Sequence, residues 1–118
     1  MQTPGIRLLD ILETVDAVAA ITAGLDFRSY SADYKTRRAV ERCVEVISEA
    51  TRHLPLAWKS DFPAIPWREI AAIGNLLRHE YYRVDDLLMW KIATQSLPEL
   101  RPVIVQLQSR PAPDPEQT

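Results

Sequence analysis

Residues 65–85 read IPWREIAAIGNLLRHEYYRVD, and the fold class turns on how this stretch is read. Ile70, Ile73 and Leu77 recur at intervals of three and four, the spacing of one face of an α-helix. Pro66 suits the first turn, where the missing N–H removes no intrahelical bond. A helix advances about 100° per residue. With the apolar triad inward, Asn75, Arg78, His79 and Tyr82 gather on one polar side, provided the helix lasts that far.

The same period continues outward in both directions. Leu8, Ile11, Leu12, Val15, Val18 and Ala19 predict a helix over about Ile6 to Leu25, opened by Thr3 and Pro4 and closed by Gly24. A second helix is expected from Ser31 to Leu54, capped by Ser31 or Asp33, with Val40, Cys43, Val44, Ile47, Ala50 and Leu54 as its apolar stripe. Its charges, among them Arg37, Arg38, Glu41, Arg42, Glu45, Glu49 and Arg52, read first as a solvated face. Pro55 to Pro66 reads as a loop holding Trp58. A fourth helical region starts near Asp85, a candidate N-cap, and contains Leu87, Leu88, Trp90, Ile92 and Ala93. Leu97-Pro98 breaks or restarts it, and Leu100, Val103, Ile104 and Leu107 mark a last helix. There is no strand-like alternation and no internal repeat. The expectation is an all-α, antiparallel bundle of four to five helices over residues 1–108, followed by a disordered, proline-rich tail, 109–118.

Composition bounds the function. The chain has 118 residues, 47% hydrophobic and 25% charged, a globular balance that suits one domain. The net charge is −2 and the sequence pI is near 5.6, so no global basic field draws in nucleic acid, and no DNA partner is expected. Any nucleic-acid contact must come from a local cluster. The lone Cys43 excludes an intrachain disulfide, and no Cys/His grouping has metal-ligand spacing. The start, MQTPGIRLLD, lacks the features of a signal peptide, and no apolar run reaches membrane-spanning length. A soluble, cytoplasmic protein without a metal or cofactor is the expectation.

The polar side of the third helix has chemistry available to it. Histidine titrates near neutral pH and moves protons. A guanidinium holds phosphate and stabilises charge as it develops. Asparagine orients a ligand, and tyrosine hydrogen-bonds or stacks on a base. These groups suffice for metal-independent RNA cleavage through the 2′-hydroxyl. An exposed surface cluster, or one used only in dimer packing, is the plainer reading of the same residues.

The same residues also resemble a known family. RRAVERCVEVISEA (residues 37–50) and IPWREIAAIGNLLRHEYYRVD are similar to the HepT family, a branch of the HEPN superfamily. The likeness runs from about Arg7 to Leu107. Its most specific parts are Ala39 to Arg42, Ser48 to Ala50, Pro66 to Arg68 and Asn75 to Asp85. The resemblance implies a small helical homodimer with its site in a cleft at the subunit interface. It implies a toxin of a bacterial toxin–antitoxin pair that cuts RNA without a metal. The implied partner is a nucleotidyltransferase-fold (MNT) antitoxin, which in some pairs transfers AMP from ATP to a motif tyrosine. The family motif is Arg-x-x-x-x-His-x-Tyr, with Asn commonly after the Arg. His79, Tyr81 and Asn75 match it here, and Gly74 stands where the arginine belongs.

That departure leaves two functions open: an RNase, or a catalytically degenerate module that only engages its nucleotidyltransferase partner. A structural dimer with no nucleotide connection is a third reading. Residues 74 and 78 lie one turn apart, and helical side chains lean toward the N-terminus. Arg78 is therefore expected to reach over Gly74 and replace the missing arginine. In the RNase reading His79 is the acid or base, Arg78 with Arg68 or Arg83 holds phosphate, and Asn75 orients the site. Glu49 and Arg38 are candidates for support. Modification falls on Tyr81 if the helix ends near His79. If the helix continues, Tyr82 is the accessible one. Trp67 is assigned to packing, and Trp58 and Trp90 carry no functional signal.

Overall fold

The structure, a computed structural model, describes residues 3–111. The expectation for the tail therefore lies outside the described residues from position 112 onward. All regular structure in residues 3–111 is helical. Helix α1 spans Pro4–Thr22, α2 Phe27–Ala32, α3 Tyr34–Arg52, α4 Leu56–Ser60, α5 Trp67–His79, α6 Asp86–Lys91 and α7 Leu97–Gln108. The bundle is built from α1, α3, α5 and the α6–α7 rod. The pair α1 and α3 is its middle, with α5 packed on the far side of α3 and α7 on α1.

The termini of α1 match the sequence signals. Thr3 Oγ1 accepts the Ile6 N–H at 3.3 Å, and Gly24 takes φ +76° just beyond the last turn, a conformation that favours glycine. The second expected helix is two. Ser31 lies inside the short helix α2, which Asp26 opens with a capping box: its carboxylate accepts from the Ser29 N–H at 2.8 Å, and Ser29 Oγ accepts from the Asp26 N–H at 3.0 Å. Asp33 then stands at the start of α3. The expected loop after Pro55 contains α4.

The C-terminal half departs from expectation in one respect. Leu97-Pro98 does not interrupt the helix. Residues Ile92–Ser96 form a π-helical stretch, in which the Leu97 N–H reaches the Ile92 carbonyl. The wider turn accommodates Pro98, which has no N–H to give, and the rod continues to Gln108. Asp85 does cap α6, accepting the Leu88 N–H at 2.7 Å.

The core is one cluster. Ile11, Val18, Val40, Ile47, Met89, Leu100, Ile104 and Leu107 are essentially closed to solvent. Met89 takes the inward position of α6, while Leu87 and Leu88 remain exposed. Helices α3 and α5 run antiparallel, because Arg38 meets Tyr81 at one end and Ser48 meets Gly74 further along. No helix among the described residues is long and apolar enough to cross a membrane.

Candidate functional site

The crossing of α3 and α5 positions the site. Ser48 is fully buried and donates its Oγ hydrogen to the Ala71 carbonyl at 3.2 Å. Gly74 lies directly against it. A Cβ at 74 would sit 2.1 Å from Ser48 Oγ and 2.6 Å from Ser48 Cβ, closer than any two such atoms can approach. Glycine here is a packing requirement of the two helices.

Arg78 Nη1 comes within 3.7 Å of the point where a Cβ of residue 74 would stand. The same nitrogen is 3.5 Å from Glu49 Oε2 across the helix pair. Glu49 also receives Arg52 Nη1 at 3.1 Å and faces His53 Nε2 with its other oxygen at 2.9 Å. One carboxylate thus gathers two guanidinium groups and an imidazole. The His53 hydrogen bond, then the neighbouring cations, hold the Glu49 carboxyl below its ordinary range. His53 was not singled out in the sequence, yet its signal was there: Glu49 and His53 are four residues apart on one helix.

Asn75 and His79 occupy a different direction on α5. Both are exposed, one turn apart, and neither side chain makes a hydrogen bond among the described residues. Arg78 leans toward α3 instead, lining a shallow cleft of about 210 Å³ with Arg7, Asp10, Arg42, Glu45 and Glu49. Three arginines there face three carboxylates, so this cleft has no excess positive charge.

Helix α5 ends at His79, and the chain turns sharply at Glu80 (φ −144°, ψ 42°). Residues Tyr81–Arg83 form a single 3-10 turn. The break keeps Tyr81 out of the core: it is 58% exposed, and Tyr82 is 75% exposed. The Arg38 guanidinium lies 5.4 Å above the Tyr81 ring and 4.8 Å above that of Tyr34, a cation–π sandwich. Arg38 is also held by Glu41. Arg83 pairs with Glu80 at 3.2 Å. Arg68 stands exposed on the first turn of α5, at the edge of a larger cleft. Trp67 packs as expected, partly buried against the core. No group of His, Cys, Asp and Glu that could hold a metal occurs among the described residues.

Residues 11–107 match the family model described as ribonuclease HepT-like. A protein of Thermococcus cleftensis, named as a candidate ribonuclease HepT, is 36% identical over 94 residues, 80% of this chain and 86% of the relative. A protein of Methanocaldococcus jannaschii, named as a candidate RNase, is 34% identical over the same coverage of each chain. Another candidate RNase, from Caldanaerobacter subterraneus, is 30% identical over 91% of this chain and 96% of the relative. No solved structure matches the chain significantly.

Proposed function

Because this chain belongs to the ribonuclease HepT-like family, we propose that it is a metal-independent endoribonuclease, acting as the toxin of a toxin–antitoxin pair. The observation that supports this most is the place of Arg78. Its Nη1 stands 3.7 Å from the point where a Cβ of residue 74 would be, so a positive charge lies beside position 74, supplied from one turn later. In this reading the 2′-hydroxyl of the substrate attacks the adjacent phosphorus. His79 takes or returns a proton as the 5′-oxygen leaves, and a 2′,3′-cyclic phosphate remains. Arg78 stabilises the charge that builds on the phosphoryl oxygens. Asn75, one turn before His79 and equally exposed, orients the substrate.

The reading includes a homodimer and an antitoxin of nucleotidyltransferase fold. For the dimer, the support is an apolar groove of about 350 Å³ between α3, α5 and the α6–α7 rod, walled by Ile70, Leu76, Leu88 and Ile92. For the antitoxin, the support is the exposure of Tyr81, whose hydroxyl is accessible to attack the α-phosphate of ATP and release pyrophosphate. One observation favours the second reading, a non-catalytic module that only engages the partner: Glu49 already neutralises Arg78.

The deciding experiment incubates the purified chain and its His79→Ala variant with mixed tRNA and mRNA in EDTA. Cleavage that survives EDTA and disappears in the variant supports the RNase. An intact, unmodified dimer that leaves RNA whole overturns it in favour of the binding module.

A further inference from the structure

A concavity larger than the one at Arg78 lies at the first turns of α5, among the described residues. It is a cleft of about 860 Å³ between the end of α3, α4 with its following loop, and the first turns of α5. Three cations line it, Arg52, Lys59 and Arg68, against one carboxylate, Glu69. The contrast with the neighbouring clefts is informative. Arg38 and Arg42 face Glu41 and Glu45 in one, and the cleft at Arg78 is likewise balanced. In a chain of net charge −2, excess positive charge is therefore concentrated in this one of the three.

Its walls combine charge with an aromatic surface. Trp67 lines the cleft, and its indole Nε1 donates to the carbonyls of Lys59 and Phe62, both at 3.1 Å. Those two bonds fix the ring's polar edge into the backbone. Lys59 is partly desolvated, which lowers its amine's pKa, and it donates to the Thr51 carbonyl at 3.3 Å. An anion arriving there would meet an ammonium already stripped of part of its water. Arg52 connects this cleft to the candidate site, because its guanidinium is 3.1 Å from Glu49, the residue that holds Arg78.

We propose that this cleft is a binding site for single-stranded RNA beside the scissile phosphate, with Lys59 and Arg68 on phosphates and a base against Trp67. Cations that follow the backbone and an aromatic face under a base are the recognised ingredients of single-strand binding. The inference rests on the RNase reading for its substrate, but its test does not depend on cleavage.

The test uses the full chain carrying His79→Ala, so that RNA remains intact, and a fluorescein-labelled single-stranded RNA dodecamer of mixed sequence. Anisotropy gives Kd across a salt series, for that chain and for the same chain with Lys59→Gln and Arg68→Gln. The expected result is a rise in Kd of about fivefold or more and a salt slope shallower by about 1.4, since each phosphate lost from a single strand removes about 0.7. The RNA should also quench indole emission, and Trp67→Phe should reduce that quenching. Arg68→Glu alone, at an exposed position, gives the same comparison if the double variant does not fold.

Unchanged Kd and slope overturn the proposal. So does a result in which the variants lose an acidic protein partner and retain RNA. The two readings fail separately: a wild-type chain that binds RNA through this cleft without cutting it removes the RNase, and one that cuts while the cleft variants bind normally removes the cleft.

Discussion

Ser48 and Gly74 meet at the crossing of α3 and α5, and the contact leaves no room for a side chain on the glycine: its Cβ would lie 2.1 Å from Ser48 Oγ and 2.6 Å from Ser48 Cβ. This relationship joins packing to function. The resemblance implies an arginine at this position, and the buried serine opposite excludes one. Beyond the two Ser48 atoms, the next neighbour of that missing Cβ is Arg78 Nη1 at 3.7 Å.

The contact sets a sign for mutation at Gly74. Replacing a mid-helix glycine with alanine normally gains roughly 0.5–1 kcal/mol. Here the collision with Ser48 opposes the gain, and overpacking costs roughly 1–3 kcal/mol. Rotation of Ser48 would move its Oγ, but not its Cβ. Gly74→Ala is therefore expected to lower the melting temperature by several degrees, and Gly74→Arg by more. Ser48→Gly removes both colliding atoms. In that background Gly74→Ala should become neutral or stabilising. Thermal melts of the four proteins check this, and an equal penalty in both backgrounds would show the crossing is not the cause.

Activity should depend on Arg78 as strongly as on His79. If Arg78 supplies the positive charge missing at Gly74, Arg78→Ala lowers kcat on RNA by about 10²–10³, the usual loss for removing one stabiliser of developing charge. Arg78→Lys should recover little, because an ammonium lacks the planar fork that grips a phosphate through two bonds. Single-turnover cleavage assays on the two variants decide the point. Full activity in Arg78→Ala would remove Arg78 from the site.

Glu49 predicts a small effect at acid pH. Its carboxyl is held below the ordinary carboxylate range, first by the His53 hydrogen bond and then by the nearby cations. A depressed folded value means the stabilisation is present above the unfolded pKa and is lost as pH falls through the folded one. The side chain is 44% exposed, so solvent screens the cluster and its worth is roughly 0.2–1 kcal/mol. Glu49→Gln should flatten the acid limb of stability against pH and barely change it at neutral pH. Denaturant midpoints through the carboxylate range measure this; an unchanged acid limb would separate Glu49 from its three partners.

Much of the fold was legible because long helices write their period into the sequence. The stripes of α1, α3 and α7 needed only the three-and-four spacing. Helix α2 was missed because six residues with one buried side chain, Tyr30, show no period, although the Asp26–Ser29 box was readable. The π turn was not legible, since Pro98 signals a break and only the tertiary fit shows how a wider turn accommodates it. Met89 was passed over for Leu87 and Leu88, which are more hydrophobic but point outward. At the site, the order along α5 puts Asn75, Arg78, His79 and Tyr82 on one polar side; the structure keeps Asn75 and His79 together, turns Arg78 toward α3 and ends the helix before Tyr82. That order did not place Arg78 against Glu49, because that contact depends on how α5 packs across α3.

Tyr30 carries the last prediction. Its ring is buried against Trp90, with centroids 5.3 Å apart, and its hydroxyl finds no hydrogen-bond partner among the described residues. Burial, followed by the charges of Glu41 and Asp86, pushes the phenol up to about 12. An unpaired buried hydroxyl costs about 1–3 kcal/mol of desolvation, and Phe would retain the ring contact without that cost. Tyr30→Phe should therefore leave the protein equally or more stable at neutral pH. The alkaline side gives a second readout. A phenol whose folded pKa is raised stabilises the fold fully below its unfolded value of 10.0, and that contribution is lost as pH climbs toward about 12. Wild-type stability should fall more steeply than that of Tyr30→Phe across this interval. A variant less stable by more than about 1 kcal/mol at neutral pH would mean the hydroxyl has a partner, since only a made hydrogen bond is lost at that cost.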